Sequence, residues 1–324
     1  MSVAPDALGP TVCVGEILVE IVATTIGTGF REAQPLIGPF PSGAPAIFID
    51  QCGRIGGAAA MIGAVGDDDF GRVNLDRLRR DGVDISAIAI DPFMPTGSAF
   101  VRYRADGARD FVFNIATSAA ARFGWSRQVA DVVDRAGHLH VMGSALSMPN
   151  AWDVIEKAAQ SIKGRGGSVS LDPNLRKELK YDDATRSRFV RLVEMSDLLL
   201  PSGEELELAA GTEGEAKAVA RLFEKGVSEI VLKRGAKGAT CFERDGSRTD
   251  AAAFAVNEVD PTGAGDCFGG AYLTCRRLGM PVQQALTYGC AAGARNVTRL
   301  GPMEGAGSRE DLDAFILSAK RLGE

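Results

Sequence analysis

Asp260-Pro261-Thr262-Gly263-Ala264-Gly265-Asp266, followed at once by Cys267-Phe268-Gly269-Gly270, joins three things that phosphoryl transfer needs. Its small residues make a turn with exposed backbone N–H groups, a helix N-terminus follows, and an acid sits in the first turn of that helix. Unpaired N–H groups and the helix dipole favour an anion there. Residues without large side chains let a phosphate approach the backbone closely. Asp266 projects into the same space, where it can take a proton from an attacking hydroxyl. On these residues alone, a plain Gly-rich turn with an acidic first-turn residue explains the stretch equally well. A dinucleotide loop is a third reading: Gly263-Ala264-Gly265 begins like G-x-G-x-x-G, but Phe268 stands where the last Gly belongs. The segment also lies near the C-terminus, away from the first strand of such a fold. No G-x-x-x-x-G-K-[ST] occurs, which excludes a Walker-type loop.

The elements that must position this turn can be read from periodicity. Ala251 to Val256 predicts a short strand leading into it. Phe268, Ala271, Tyr272 and Cys275 recur at i, i+3, i+4 and i+7, the spacing of a buried helix face. Arg276 and Arg277 sit near the helix end, Gly279 stops it and Pro281 follows. Thr11 to Val14 predicts the first strand, and residues 21–41 are irregular and rich in Gly and Pro. An apolar stretch from Gly56 to Gly66 leads through Asp67-Asp68-Asp69 to a charged helix ending at Arg80. Ser98–Tyr103 and Asp110–Phe113 flank Asp106-Gly107, a hairpin turn signal. From about residue 127 on, the predicted helices Trp125–Ala136, Trp152–Ile162, Ala184–Glu194 and Glu215–Lys225 alternate with the strands His138–Met142, Ser168–Leu171, Leu198–Leu200 and Glu229–Leu232. That alternation predicts a doubly wound α/β fold, a parallel sheet with helices on both faces, whose ligands gather at the carboxyl ends of the strands.

The bulk properties exclude several classes. A chain of 324 residues fits one large α/β domain or two smaller ones, and 45% hydrophobic content fills a sizeable core. The formal net charge of −6 argues against nonspecific nucleic-acid binding, which needs a basic surface. MSVAPDALGP shows no basic n-region or apolar core, so no signal peptide is expected, and no apolar run reaches a membrane span. Six dispersed cysteines without a C-x-x-C predict buried reduced thiols and a cytoplasmic protein. His138 and His140 share one face of a strand, but with no third His and no nearby Cys they read as ordinary strand residues rather than metal ligands.

The run DPTGAGDCFGGAY resembles the C-terminal signature of the ribokinase-like (PfkB) family of sugar and nucleoside kinases, and companion segments follow in family order along nearly the whole chain. The resemblance implies a three-layer α/β/α kinase domain over residues 1–324, with a small β-sheet lid from about 17–50 and 94–115. It implies ATP and Mg²⁺ as cofactors, a sugar as substrate, and a homodimer paired through the lid. Asp266 would be the general base, with Gly263, Ala264 and Gly265 stabilising charge through their N–H groups.

Other roles follow from matching segments. Gly15-Glu16-Ile17-Leu18-Val19-Glu20 resembles the opening segment, with Glu20 as a sugar contact. Ser42 and Gly43 match the Gly-Gly segment near the sugar, with Ser42 in place of the first Gly. Ile47 stands where an Asn that touches sugar is usual, leaving Asp50 or Gln51 to supply the polar contact. Asn174 and Arg176, in Asp172-Pro173-Asn174-Leu175-Arg176, would line the cleft beside the transferred phosphate, where Arg176 could stabilise its charge. Ser202 and Glu205 match an N-x-x-E motif with Ser for Asn; Glu205 would order hydrated Mg²⁺, and Ser202 also reads as a helix N-cap. Lys233, Gly235 and Gly238 would meet the nucleotide, with Cys290 beside the adenine. Asp260 and Thr262 offer a site for a monovalent cation such as K⁺.

Among substrates, the Ser42–Ile47 segment resembles tagatose- and fructose-type ketohexose kinases. Ketodeoxygluconate kinases share the opening segment but carry Tyr-Arg after the lid hairpin, where this chain has Phe113-Asn114-Ile115-Ala116. A neutral ketohexose is therefore expected, although Arg102, Arg104 or Arg109 could turn inward to hold an acid. The rivals are a ketodeoxygluconate kinase, a non-catalytic sugar- or nucleotide-binding regulator and a hydride-transfer enzyme.

Overall fold

The computed structural model describes residues 3–26, 29–105, 109–174 and 182–323. Its strands in chain order are β1 (Thr11–Val14), β2 (Leu18–Ala23), β3 (Leu36–Ser42), β4 (Ala59–Gly66), β5 (Val83–Asp91), β6 (Gly97–Tyr103), β7 (Arg109–Asn114), β8 (His138–Met142), β9 (Ser168–Asp172), β10 (Leu198–Leu199), β11 (Glu229–Lys233), β12 (Ala239–Glu243) and β13 (Arg248–Ala251). The helices are α1 (Ala44–Arg54), α2 (Asp69–Arg80), α3 (Arg127–Val133), α4 (Ala151–Gly164), α5 (Asp183–Met195), α6 (Glu205–Ala210), α7 (Glu215–Glu224), α8 (Ala264–Arg277), α9 (Val282–Asn296) and α10 (Arg309–Ser318).

Nine strands form one sheet in the order β13-β12-β11-β10-β9-β8-β1-β4-β5. It is parallel from β11 to β5 and antiparallel at the β11-β12-β13 edge. Successive residues of its central strands face opposite cores, so these strands are apolar throughout. Val12, Ile62, Leu139, Val141 and Leu171 pack with α3, α4 and α5. Cys13, Met61, Leu198 and Val231 pack with α1, α8 and α9 on the other face. This is the expected doubly wound fold.

A separate four-stranded sheet, β3-β2-β6-β7, stands over one end of the main sheet, with β2 and β6 parallel and the other pairs antiparallel. Residues 44–50 belong to the buried helix α1 rather than to this small sheet. The Asp106-Gly107 turn lies outside the described residues.

Three local differences from the sequence reading have physical causes. The strand expected at Ala251–Val256 ends at Ala251, because beyond it the chain pairs with the C-terminal segment instead: Ala255 N–H donates to Lys320 O and Leu322 N–H to Ala253 O. Helix α3 starts only at Arg127, where the Ser126 hydroxyl caps it by accepting from Val129 N–H. Arg276 and Arg277, expected to complement the helix end, are buried. Arg276 pairs with Glu229 (3.0 Å), and Arg277 donates to Ala4 O, Pro5 O, Gly9 O and Thr11 Oγ1.

His138 and His140 do share a face of β8. Ser168 and Ser170 on β9 lie 2.7 Å from their ring nitrogens, and His140 stacks on Phe48 of α1. Burial holds both imidazoles well below the usual histidine range, so they are neutral. The six cysteines are buried and free, and no described helix is long and apolar enough to cross a membrane.

Candidate active site

The loops at the carboxyl ends of β1, β8, β9, β10 and β11 and the start of α8 converge at one end of the main sheet, beneath the small sheet. Gly263 is the N-cap of α8 at φ 79°, and a Cβ there would sit 2.2 Å from Pro302 O. Only glycine fits that backbone and that approach. The N–H groups of the first turn of α8 therefore open onto the cleft.

Asp266, 3% exposed, lies in that turn. Asn174 Nδ2 donates to its Oδ1 at 3.1 Å and so orients the carboxylate. Asn174 reaches it from a left-handed conformation, φ 37°, which Asn tolerates, and its own N–H donates to Asp172 Oδ1 (3.2 Å) in an Asx-turn. The turn expected from Pro173-Asn174 is thus present; Arg176 lies outside the described residues.

Lys233, at the end of β11, is buried against Gly265 and donates to Asp172 Oδ2. Burial alone would pull its pKa down. Asp172, with Glu205 and Asp266 nearby, more than offsets this and holds the ammonium above the usual lysine range. The cation is thus fixed beside the anion-binding turn. Glu205 opens α6, and its Oε2 accepts from Ser202 N–H at 2.8 Å, so the residue expected to cap the helix with its side chain is itself held by that helix's carboxylate.

A cleft of about 520 Å³ is lined by Ser202, Lys233, Gly235, Gly238, Ala264, Gly265 and Cys290, bringing together most of the residues expected at the nucleotide. Gly238 is required as glycine, since at φ 87° a Cβ would meet Ala251 O at 1.9 Å. Burial pushes the Cys290 thiol up to about 12, so it contributes shape rather than a thiolate. Ala253 to Val256, the non-strand segment after β13, forms another wall.

A second, smaller cavity of about 40 Å³ lies on the other side of the turn. Glu20, Ser42 and Gly43 line it as expected, joined by Ile47, Phe111, Phe113, Ile115 and Thr262. Two polar residues that the sequence reading did not single out, Glu16 and Ser144, complete it; Ser144 Oγ donates to Glu16 Oε1 at 2.7 Å. Their signal was position: each follows the carboxyl end of a central parallel strand.

Asp50 is a correction. It is fully buried in α1 and paired with Arg77 Nη2 at 3.0 Å, away from the cavity lining. Burial raises its pKa to about 7, against the opposing pull of Arg77. Gln51 is likewise committed to the core, donating to Gly307 O at 2.8 Å. Both lie about one helical turn beyond Ile47, and their partners Arg77 and Gly307 hold them in the core, outside the cavity lining.

The lid cations divide. Arg102 and Arg104 share one side, as strand alternation predicts, and both pair with Asp110. Arg109 instead crosses to the turn before α8, where Nη1 donates to Thr262 Oγ1 at 2.6 Å. Tyr103 makes a parallel contact, its hydroxyl donating to Asp260 Oδ1 at 2.8 Å. Asp260 and Thr262, the expected cation ligands, are therefore engaged by donors from the hairpin. Neither Tyr103 nor Arg109 was expected at the turn.

Comparison with known proteins places this geometry. Residues 11–308 match the model of the pfkB family carbohydrate kinases. Fructokinase-1 of Oryza sativa subsp. japonica is 32% identical over 298 residues, 89% of this chain and 91% of that protein. A putative ribokinase II from E. coli, solved in complex with ATP and Mg²⁺, superposes with a TM-score of 0.89 at 41% identity, covering 95% of this chain and 99% of that one. A fructokinase double mutant from Vibrio cholerae O395, solved in a fructose, ADP and potassium ion bound form, superposes with a TM-score of 0.80 at 26% identity, covering 95% and 98%.

Proposed function

Since the chain belongs to the pfkB family of carbohydrate kinases and is an ATP-dependent sugar kinase, we propose that it phosphorylates a hydroxyl of a neutral ketohexose, of the fructose or tagatose type, with Asp266 as general base. The observation that carries this reading is the catalytic turn itself. Thr262 lines the small cavity while Ala264 and Gly265 line the large cleft, so one turn is the shared wall of both. A sugar hydroxyl in the first and a γ-phosphate in the second would meet at the N-terminus of α8, beside Asp266.

The hydroxyl oxygen attacks the γ-phosphorus in line, its proton passes to Asp266, and the bond from phosphorus to the β-phosphate oxygen breaks to release ADP. Asn174 holds the carboxylate toward the reaction. Lys233 and the N–H groups of Gly263, Ala264 and Gly265 stabilise the charge that develops on the phosphoryl oxygens. Arg176 adds a positive charge in the same role. Among the described residues no three carboxylates, histidines or thiols cluster to hold a metal ion. That fits Mg²⁺, which keeps its waters and takes few protein ligands, with Glu205 as the residue that would hold it through water. When bound, it screens the phosphates. Asp260 and Thr262 are the residues that would hold a monovalent cation such as K⁺, since an oxygen that accepts one hydrogen bond keeps a second lone pair.

The chemistry of the small cavity favours a neutral sugar. Glu16 and Glu20 supply hydrogen-bond acceptors, and among the described residues no basic side chain lines the wall. A carboxylate sugar would be desolvated against two acids. Arg109 approaches only as far as the Thr262 hydroxyl. The test is kcat/KM for fructose, tagatose and 2-keto-3-deoxygluconate by ADP release. Preference for the acid by tenfold or more would overturn the substrate assignment and point to Arg109 as its partner.

A homodimer paired through the small sheets is part of the same reading. Leu36 and Val112 stay exposed on one side of this sheet, an apolar face that a partner sheet would cover. Phe111 and Phe113, expected on that face, line the cavity instead, while Phe100 lies opposite Val112 on the outer side. Sedimentation at micromolar protein checks this; a monomer there defeats it. The free, buried thiols support a reducing, cytoplasmic setting.

A further inference from the structure

The nucleotide cleft has two unlike ends. At one, Ala264 and Gly265 of the first turn of α8 stand beside the Lys233 ammonium. Helix α9 leads away from that end. Asn296, its last residue, donates from Nδ2 to Thr262 O at 2.9 Å, next to the turn. Cys290 lies six residues earlier on α9, about 9 Å back along the axis at a rise of about 1.5 Å per residue. The lining there continues with Ala253, Phe254 and Leu322, and Arg321 is close enough for its charge to act on the Cys290 thiol. None of the four lining side chains at this end carries a charge. A polyphosphate belongs at the cationic end. A nucleobase, with its flat and weakly polar faces, belongs at the apolar one.

Leu322 is the member of this wall that no motif marks. It follows α10 and is 43% exposed. A singly exposed leucine is ordinary on a protein surface, but this one is held in place. Its N–H donates to Ala253 O at 2.8 Å, and Ala255 N–H donates to Lys320 O at 2.8 Å, so residues 320–322 pair antiparallel with 253–255. The Arg321 guanidinium lies 5.2 Å from the centroid of the Phe254 ring, and that ring packs at 5.3 Å on Phe315 of α10. A cation over an aromatic face is attracted by the ring quadrupole. The backbone pairing and the stacked arginine thus fix an apolar side chain on the wall of a cleft of about 520 Å³. A base seated there would remove the remaining face of Leu322 from water.

We infer that the stretch after α10 is the outer wall of the nucleobase seat. Leu322 packs on the base, and Arg321 is a positioning residue that holds the stretch in place through Phe254. The inference rests on the ATP dependence of the chain and not on the choice of sugar.

The test is calorimetric binding of Mg·ADP at several temperatures. It requires no sugar, so a failure of the ketohexose assignment would leave its result unchanged. Leu322→Ala should raise Kd about fivefold, the ratio expected for losing roughly half of a leucine's burial. The heat-capacity change of binding should become less negative, because less apolar surface is buried. Leu322→Met, similar in volume and apolar, should bind within about twofold of the unmodified protein. An unchanged Kd in Leu322→Ala overturns the inference. So does a loss that Met does not restore, or one with no change in heat capacity, since either would mean that the residue shapes the cleft without touching the base. Arg321→Ala should weaken Mg·ADP to a similar extent, and unchanged binding there removes its positioning role.

Discussion

The two cavities that meet at the catalytic turn are made by different means. The nucleotide cleft is walled chiefly by backbone and small residues, with Gly235, Gly238, Ala264 and Gly265 each close to others in sequence. The sugar cavity is walled by single side chains from distant stretches: Glu16 and Glu20 near the start, Phe111 and Phe113 from the hairpin, and Ser144 from the loop after β8. A polyphosphate is recognised by N–H groups and charge, which a short motif can supply whole. A sugar is distinguished by the placement of its hydroxyls, which requires separate groups brought in from several directions. The first side is thus set by short local stretches, and the second by the long-range placement of single side chains.

Three measurements would break or sharpen that contrast. The largest effect belongs to the shared turn: Asp266→Asn should lower kcat by about 10²–10⁴, the usual cost of losing a general base, while the Kd for Mg·ATP changes by no more than a few-fold. If kcat stays within a few-fold of the unmodified enzyme, the turn is only a wall between two binding sites. The next effect should fall on one side alone. Glu16→Gln removes the charge from a hydrogen-bonded carboxylate, so the KM for sugar should rise about tenfold or more, with the KM for ATP unchanged. A parallel rise in both would mean that the cavities are not independent.

The smallest effect concerns the floor beneath both. His138 and His140 are neutral and buried, and below pH 6.5 their protons are taken up only on unfolding. The unfolded state then binds more protons, so stability falls as the pH drops through this value. Asp50 works oppositely: with its folded pKa raised to about 7, it takes up a proton in the folded state first and gains stability on the same descent. Two imidazoles against one carboxyl leave a net loss of stability from pH 7 to 5.5. Denaturant melts at pH 7 and 5.5 would read it, and His140→Gln should flatten the curve. A curve that rises toward pH 5.5 would show that the histidines are charged in the folded state.

What the sequence disclosed follows the same division. The α8 turn, the parallel strands and the Gly235–Gly238 loop were legible because each is encoded within a few consecutive residues: a break, a glycine, an apolar period. Asp50 was misread because α1 touches the cavity only at its first turn, through Ala44 and Ile47, and Arg77, 27 residues away, claimed the carboxylate one turn further on. Arg109 and Asn296 were invisible for the converse reason. Their partner Thr262 lies 153 and 34 residues off, and nothing local marks a hydrogen bond of that span. The strand expected at Ala251–Val256 failed because its composition suited a strand while its backbone found partners in the C-terminal segment.

Arg277 carries a consequence for anyone who handles this chain. Its guanidinium ends the helix that begins at Gly263, and it is held by Ala4 O, Pro5 O, Gly9 O and Thr11 Oγ1, with Asp6 at 3.4 Å. A buried cation stripped of such partners is among the costliest local defects. The first ten residues therefore help to fix the end of α8, the helix whose first turn holds Asp266. Trimming them to tidy an expression vector would loosen the far end of the catalytic helix.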